Sequence, residues 1–317
     1  MVVGIDVSKL KLDITVLLEK NKQKHKVFCN TPDGFGEIVK WFDQLGVKTA
    51  SICLESTGTY GEAVSLFLHQ QGHTVSIVNP ARIKAYGRSE GSRAKTDKVD
   101  SGVIARFCKA QSPLAWVPPC DGEQALKDLY RCRQSLIEDQ GRLSNRMEAL
   151  DKTKASFKVW ETLLEKLKKA IQDVDAQINA LLESTPNLGN QVDLLKTIPG
   201  VSDKTAVAIL SEFPPIGTFK TAREAAAFAG LTPTVRQSGT SVRGKGCLSK
   251  VGNAQLRKAL YMPAIVAKKY NPLVKEFCNR LGDKGKAKMV VIGAAMRKLL
   301  HIIFGVLKHQ KSFAFSQ

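Results

Sequence analysis

The sequence predicts an α/β fold in its first third followed by helical architecture, on three observations. Short runs of β-formers alternate with helix-period segments over the first hundred residues. Two long stretches then carry apolar residues at three- and four-residue steps. Beyond "STPNLGN" the chain reads as further helices, beginning with a helix–hairpin–helix around "IPGVS".

"VVGIDV" is an apolar run ending in an acid, and "LDITVLL" alternates apolar and polar residues. A Lys-rich turn at Glu19–Lys24 leads to a third run, "HKVFCN". "GFGEIVKWFDQL" has helical spacing, with Phe35, Ile38, Val39 and Phe42 on one face. "TASICLE" reads as a fourth strand ending in an acid, a helix follows from about Glu62 to Gln71, and "TVSIVN" is a strand closed by Pro80. The order β-β-β-α-β-α-β suits a mixed sheet with helices on its faces.

From Glu123 the texture changes. Leu126, Leu129, Leu136, Leu143, Met147 and Leu150 form one amphipathic stripe, and Trp160, Leu163, Leu167, Ile171, Val174, Ile178 and Leu181 a second. They suit a helical hairpin or a coiled coil, serving as spacer or dimerisation arm. "STPNLGN" breaks the pattern and marks the last boundary. The expected division is a first domain over 1–120, a helical arm over 121–184 and a C-terminal domain over 185–317. The "IPGVS" turn is either an ordinary helical connection or a phosphate site at a helix N-terminus.

The net charge of +19 is concentrated: from Val201 onward 20 Lys+Arg face 5 Asp+Glu, against 28 and 24 before it. Such asymmetry points to a polyanion, nucleic acid in the first instance. The cations are interspersed with glycines and turns, which disfavours a membrane surface. "ALYMPAIVA" and "MVVIGAAM" fall short of the ~20 residues of a spanning helix, and "MVVGIDVSK" lacks the pattern of a signal peptide. The expectation is a cytoplasmic protein without a membrane partner. Seven scattered cysteines without a Cys-x-x-Cys pair suggest small core residues and neither zinc nor disulfides. His69 and His73 read as a solvated helix end.

Four carboxylates stand at element ends. Asp6 sits at or just inside the end of the first strand, Glu55 ends the fourth, and Asp97 and Asp100, three apart at a helix start, project from one face. Singly, each would solvate a turn. Gathered, they suit hard divalent cations such as Mg²⁺ or Mn²⁺, which can clamp a phosphodiester undergoing displacement.

"GIDVSK", "CLESTGTYG", "SIVNP", "KTDKVDSGVIARF", "IPGV", "FAGLTP", "QSGTSVRGKGCLSKVGNAQLRKALY" and "MVVIGAAMRKLL" together resemble the IS one-ten family of insertion-sequence transposases, relatives of the Piv invertases. The likeness spans nearly the whole chain. It implies a RuvC-like ribonuclease H fold for the first domain, with Asp6, Glu55, Asp97 and Asp100 as its DEDD metal ligands. It also implies DNA as substrate, a homodimer assembling to a homotetramer, and a structured noncoding bridge RNA that pairs with target and donor. Few aromatic residues (7%) are present for base stacking, which is consistent with sequence being read by base pairing.

"TVRQSGTSVRGKG", Thr234 to Gly246, supplies hydroxyls, glycines and cations, but there is no Asp or Glu between Glu224 and Glu276. Alone, it reads as a phosphate cradle, because a serine hydroxyl needs activation to attack. The resemblance implies more: the matching serine, Ser238 and not Ser241, attacks DNA to form a 5′-phosphoserine link. Arg236, Arg243 and Lys245 would then position the DNA backbone, and Lys250, Arg257 and Lys258 would extend a basic track. Rivals are a junction nuclease using water and a Piv-like invertase that needs no guide RNA.

Overall fold

The computed structural model describes residues 1–18, 22–55, 58–91, 96–151, 153, 155–234, 237–238, 242–243 and 246–314. The chain divides into two compact units, Met1–Pro118 and Pro119–Gln317.

The first unit is α/β. Strands β1 (Val2–Val7), β2 (Lys11–Leu17), β3 (Gln23–Cys29), β4 (Ser51–Glu55) and β5 (Thr74–Val78) form one sheet in the order β3-β2-β1-β4-β5. β1, β2 and β3 are joined antiparallel, and β4 and β5 run parallel to β1. The Lys-rich turn before β3 lies partly outside the described residues, at 19–21.

Strand alternation sorts the side chains. Val3, Ile5, Val7, Leu12, Ile14, Val16, Ile52 and Leu54 share one face and pack on α1 (Pro32–Gln44) and α2 (Glu62–Gln70) through Phe35, Ile38, Phe42, Val64 and Leu68. In α1, Trp41 joins the buried face and Val39 is only half-buried, which corrects the expected stripe. Thr31 caps α1, its hydroxyl accepting from Gly34 N–H, and Pro32 supplies a preset φ at the first turn.

The residues between those apolar positions, Gly4, Asp6, Asp13, Thr15, Cys53 and Glu55, face the other way. There lie α3 (Pro80–Ser89) and α4 (Asp97–Gln111), packed through Ile83, Val103, Ile104, Phe107 and Cys108. Gly4 admits α4 so closely that a Cβ would lie 2.3 Å from both Ser101 O and Ala105 N. A buried 2.8 Å hydrogen bond between the Thr15 and Ser101 hydroxyls fastens β2 to the same helix.

Two expectations fail in this unit. His73 is not solvated; it is buried edge-on against Phe42, at 5.5 Å between ring centres. Only three cysteines are core residues, Cys53 and Cys108 here and Cys278 in the second unit, while Cys29, Cys120, Cys132 and Cys247 are exposed.

The second unit is helical. α5 (Asp121–Glu148) and α6 (Ala155–Ser184) form a packed hairpin. Leu126 and Tyr130 of α5 and Val174 and Ile178 of α6 belong to the same core as the helices that follow. These are α7 (Pro186–Lys196), α8 (Asp203–Glu212), α9 (Ala222–Phe228), α10 (Ala254–Tyr270), α11 (Pro272–Asp283) and α12 (Lys288–His309). "STPNLGN" is not a loop, for Pro186 starts α7 at its first turn. Between α7 and α8, Gly200 takes φ +105°, a conformation that favours glycine, and Ser202 caps α8.

α12 corrects the expected length of the apolar stretches. It is long and apolar enough to cross a membrane, although Arg297 and Lys298 interrupt its sequence, and more than half of its apolar stretch is buried in the core. Between α9 and α10 four short strands, β6 (Pro233–Thr234), β7 (Gln237–Ser238), β8 (Val242–Arg243) and β9 (Cys247–Leu248), pair as two nested antiparallel ladders.

Candidate active site

Helix α4 begins where Thr96 caps it, its hydroxyl accepting from Val99 N–H at 3.3 Å. Asp97 and Asp100 occupy the first turn, where the helix dipole favours negative charge. Because Gly4 seats α4 on β1, those two carboxylates come to the sheet face that carries Asp6 and Glu55. Asp6 feels them there: its pKa is pushed from 3.8 up to about 6. Burial is the largest cause, followed by Asp100, Asp97, Glu55 and Asp13. The other three sequence-predicted acids thus lie within electrostatic reach of Asp6, as does a fifth acid.

That fifth acid, Asp13, and the cation beside it were missed in the sequence. Asp13 pairs in register with Asp6 across β1 and β2 and is buried. Lys11 Nζ lies 2.5 Å from Asp97 Oδ2 and 3.3 Å from Asp13 Oδ2. His25 Nε2 lies 3.1 Å from the other Asp13 oxygen. The hydrogen bond to Lys11 holds the Asp97 carboxyl below the usual range, and reciprocally the bond to Asp97 raises Lys11. The signal was present in "KLDITVL": with Leu12, Ile14 and Val16 facing the core, Lys11 and Asp13 must share the other face.

The hairpin of the second unit carries Ser238, paired in register with Val242, while Gln237 pairs with Arg243. The outer ladder pairs Pro233 with Leu248 and Thr234 with Cys247, a register offset by one residue from the inner one. The side chains of Ser238 and Arg243, and all of Arg236, Ser241 and Lys245, lie outside the described residues. The hairpin's base is well described. Ser249 N donates to Thr232 O at 2.8 Å, Lys250 N to Gly230 O at 3.1 Å and Asn253 N to Phe228 O at 2.7 Å.

Of the remaining predicted cations, Lys250 is exposed and holds φ +56°. Arg257 is half-buried and donates from Nη1 to Ala229 O at 3.0 Å, so it braces the hairpin's base. Lys258 Nζ pairs with Glu138 Oε1 of α5 at 2.9 Å. A further missed residue, Glu212, is buried at the end of α8. It accepts from Arg131 Nε of α5 at 2.8 Å and from Asn253 Nδ2 at 2.9 Å.

A transposase family model, the DEDD domain of IS110, matches residues 3–155 and so covers all four acids; a second, the transposase family of IS116, IS110 and IS902, matches residues 192–279 and so covers the hairpin. The pilin gene-inverting protein of Moraxella bovis is 34% identical over 98% of this chain and 97% of its own length. The chain belongs to the IS110 family of transposases. The pilin gene-inverting protein of Moraxella lacunata is 33% identical over 98% of this chain and 97% of its own. A more distant relative, the transposase for insertion sequence element IS1328 of Yersinia enterocolitica, is 21% identical over 78% and 82%. As an IS110-family member the chain is a DNA transposase or recombinase, and its DEDD domain implies a divalent metal.

The residues fit such an ion in kind. Every donor in the cluster is a carboxylate oxygen, the hard ligand that Mg²⁺ and Mn²⁺ prefer. Asp6's pKa is raised first by burial and then by the neighbouring carboxylates, both of which a bound cation would offset. As the side chains stand, no three Asp, Glu, His or Cys among the described residues are close enough to hold one ion. Lys11 is the cation that Asp97 meets instead.

Proposed function

We propose that this chain is the recombinase of an insertion sequence. In this reading residues 1–120 are a RuvC-like domain, 121–184 an arm and 185–317 the serine-bearing domain. The three antiparallel strands followed by two parallel ones support the RuvC-like reading. The observation that carries the proposal is the placement of Asp6 and Glu55 on the sheet face that α4 covers, with Asp97 and Asp100 in its first turn, near enough to add to the effect of burial on Asp6. Those four residues would hold Mg²⁺ or Mn²⁺. Such an ion, when bound, neutralises charge on a DNA phosphate and eases deprotonation of an attacking hydroxyl.

The chain's own residues do the rest. Ser238 Oγ attacks the phosphorus; the Oγ–P bond forms as the P–O3′ bond breaks, the serine gives up its proton and the departing O3′ takes one up. The phosphodiester becomes a 5′-phosphoserine ester of similar energy, which a second 3′-hydroxyl can reverse, so strands are exchanged without ATP. Arg236, Arg243 and Lys245 steady the backbone near Ser238, and Lys250, Arg257 and Lys258 continue the basic surface. The enzyme works as a homotetramer built from two dimers on DNA in the bacterial cytoplasm, at the nucleoid, with a bridge RNA reading sequence. A second reading, site-specific inversion without guide RNA, is favoured by the likeness to the pilin gene-inverting proteins.

One assay tests all of this. Protein, Mg²⁺ and end-labelled DNA spanning the element junction are mixed with or without RNA transcribed from the element's flanks. A covalent protein–DNA band lost in Ser238→Ala and kept in Ser241→Ala is the expected result. Cleavage without that band, unchanged in Ser238→Ala, would make the enzyme a water-using nuclease. An RNA-independent band would favour the inversion reading.

A further inference from the structure

We infer that Lys11 is a built-in counter-cation of the acidic cluster, shared by Asp97 and Asp13 until a divalent ion takes Asp97, and retained by Asp13 afterwards. The inference rests on the metal-site reading given under the proposed function.

The geometry sets up an exchange. Lys11 Nζ bridges two elements, reaching Asp97 Oδ2 of α4 at 2.5 Å and Asp13 Oδ2 of its own strand at 3.3 Å. The two acceptors differ in kind. The Lys11 and Asp97 side chains are 48% and 52% exposed, so their contact can break without unfolding anything. Asp13 is 7% exposed, and its other oxygen is fixed by His25 at 3.1 Å. One acceptor is replaceable and the other is anchored.

Nor does Lys11 hold the helix in place. The Thr15–Ser101 hydrogen bond and the Gly4 contact seat α4 on the sheet independently of it. The lysine's effect is therefore local. It occupies an oxygen of Asp97 that a metal ion needs, and its positive charge opposes an incoming dication. A metal ion has to displace it, which sets a threshold for loading the site. Exposed ion pairs are worth little, so the penalty on metal affinity is a small factor.

The test is Mn²⁺ binding to the full chain without DNA, followed by the electron paramagnetic resonance of free Mn²⁺. Lys11→Met and Lys11→Gln are expected to bind Mn²⁺ tighter by roughly 1.5- to fivefold, Lys11→Arg to bind as wild type does, and Asp97→Asn to bind more weakly. Thermal melts give a second readout: in EDTA Lys11→Met melts below wild type, and it gains more from added Mn²⁺. Equal or weaker binding by both neutral variants overturns the inference and leaves the metal site standing. Absence of Mn²⁺ binding by wild type and every variant overturns the metal-site reading, and this inference with it.

Discussion

Gly4 of β1 lies against Ser101 of α4 so closely that a Cβ on it would stand 2.3 Å from the Ser101 carbonyl oxygen. The obstructing atoms are backbone, so no side chain can turn aside. Gly4 thereby fixes the height of α4 above the sheet, and with it the distance from Asp97 and Asp100 to Asp6. Gly4→Ala is expected to lift the helix, costing about 1–3 kcal/mol as overpacking does and weakening DNA cleavage. Urea unfolding and a cleavage assay check this together. Unchanged stability with full cleavage would mean that the contact does not seat the helix.

Glu212 ties the arm to the hairpin's base. Its buried carboxylate receives Arg131 Nε of α5 at 2.8 Å and Nη2 at 3.1 Å, and Asn253, which caps α10, at 2.9 Å. Removing one partner of a buried pair leaves the others unsatisfied, at a cost of about 3–5 kcal/mol where both are buried. Arg131 is partly exposed, so Glu212→Ala is expected to cost about 2–4 kcal/mol, with Glu212→Gln in between. Thermal unfolding measures it, and a loss under about half a kcal/mol would rule the clamp out.

The sheet and both long helices were legible because their apolar residues keep strict periods of two and 3.6. Asp6, Glu55, Asp97 and Asp100 stood out in the sequence because they lie near the ends of elements and match a family pattern. Lys11 and Asp13 were not, although their face could be read from "KLDITVL". Their importance depends on the antiparallel register that sets Asp13 opposite Asp6, and register is a property of two strands at once. Glu212 escaped for a similar reason: its partners are 81 and 41 positions away. The length of α12 was misjudged because Arg297 and Lys298 break its apolar run, whereas a helix can bury apolar residues on either side of them.

His73 gives the first unit an acid-sensitive point. Its ring is buried against Phe42, its Nδ1 has no hydrogen-bond partner among the described residues, and burial lowers its pKa from the ordinary 6.5. Its neutral form is the one that fits. Its contribution to stability is therefore complete above pH 6.5 and is lost as pH falls below that toward the lowered folded value. His73→Leu is expected to flatten the slope of stability against pH below 6.5, by up to about 1.4 kcal/mol per pH unit. Denaturant unfolding at pH 5.5 and 7.5 decides, and identical slopes in the two proteins would exclude the role.

Asp6 works in the opposite direction. Its pKa rises from 3.8 to about 6 in the fold, so the folded state holds the proton more tightly than the unfolded chain. The stabilising contribution is full below pH 3.8 and is lost as pH rises through about 6. Above that, the ionised carboxylate burdens the metal-free fold by about 1–2 kcal/mol, after discounting for its partial exposure. Asp6→Asn removes the burden. In EDTA at pH 8 the variant is expected to melt a few degrees above wild type, and at pH 4 the advantage should vanish. Mg²⁺ should narrow the gap by stabilising wild type alone, while cleavage by the variant is lost. Equal melting temperatures in EDTA at pH 8 would mean that neither burial nor the neighbouring carboxylates burden the ionised Asp6.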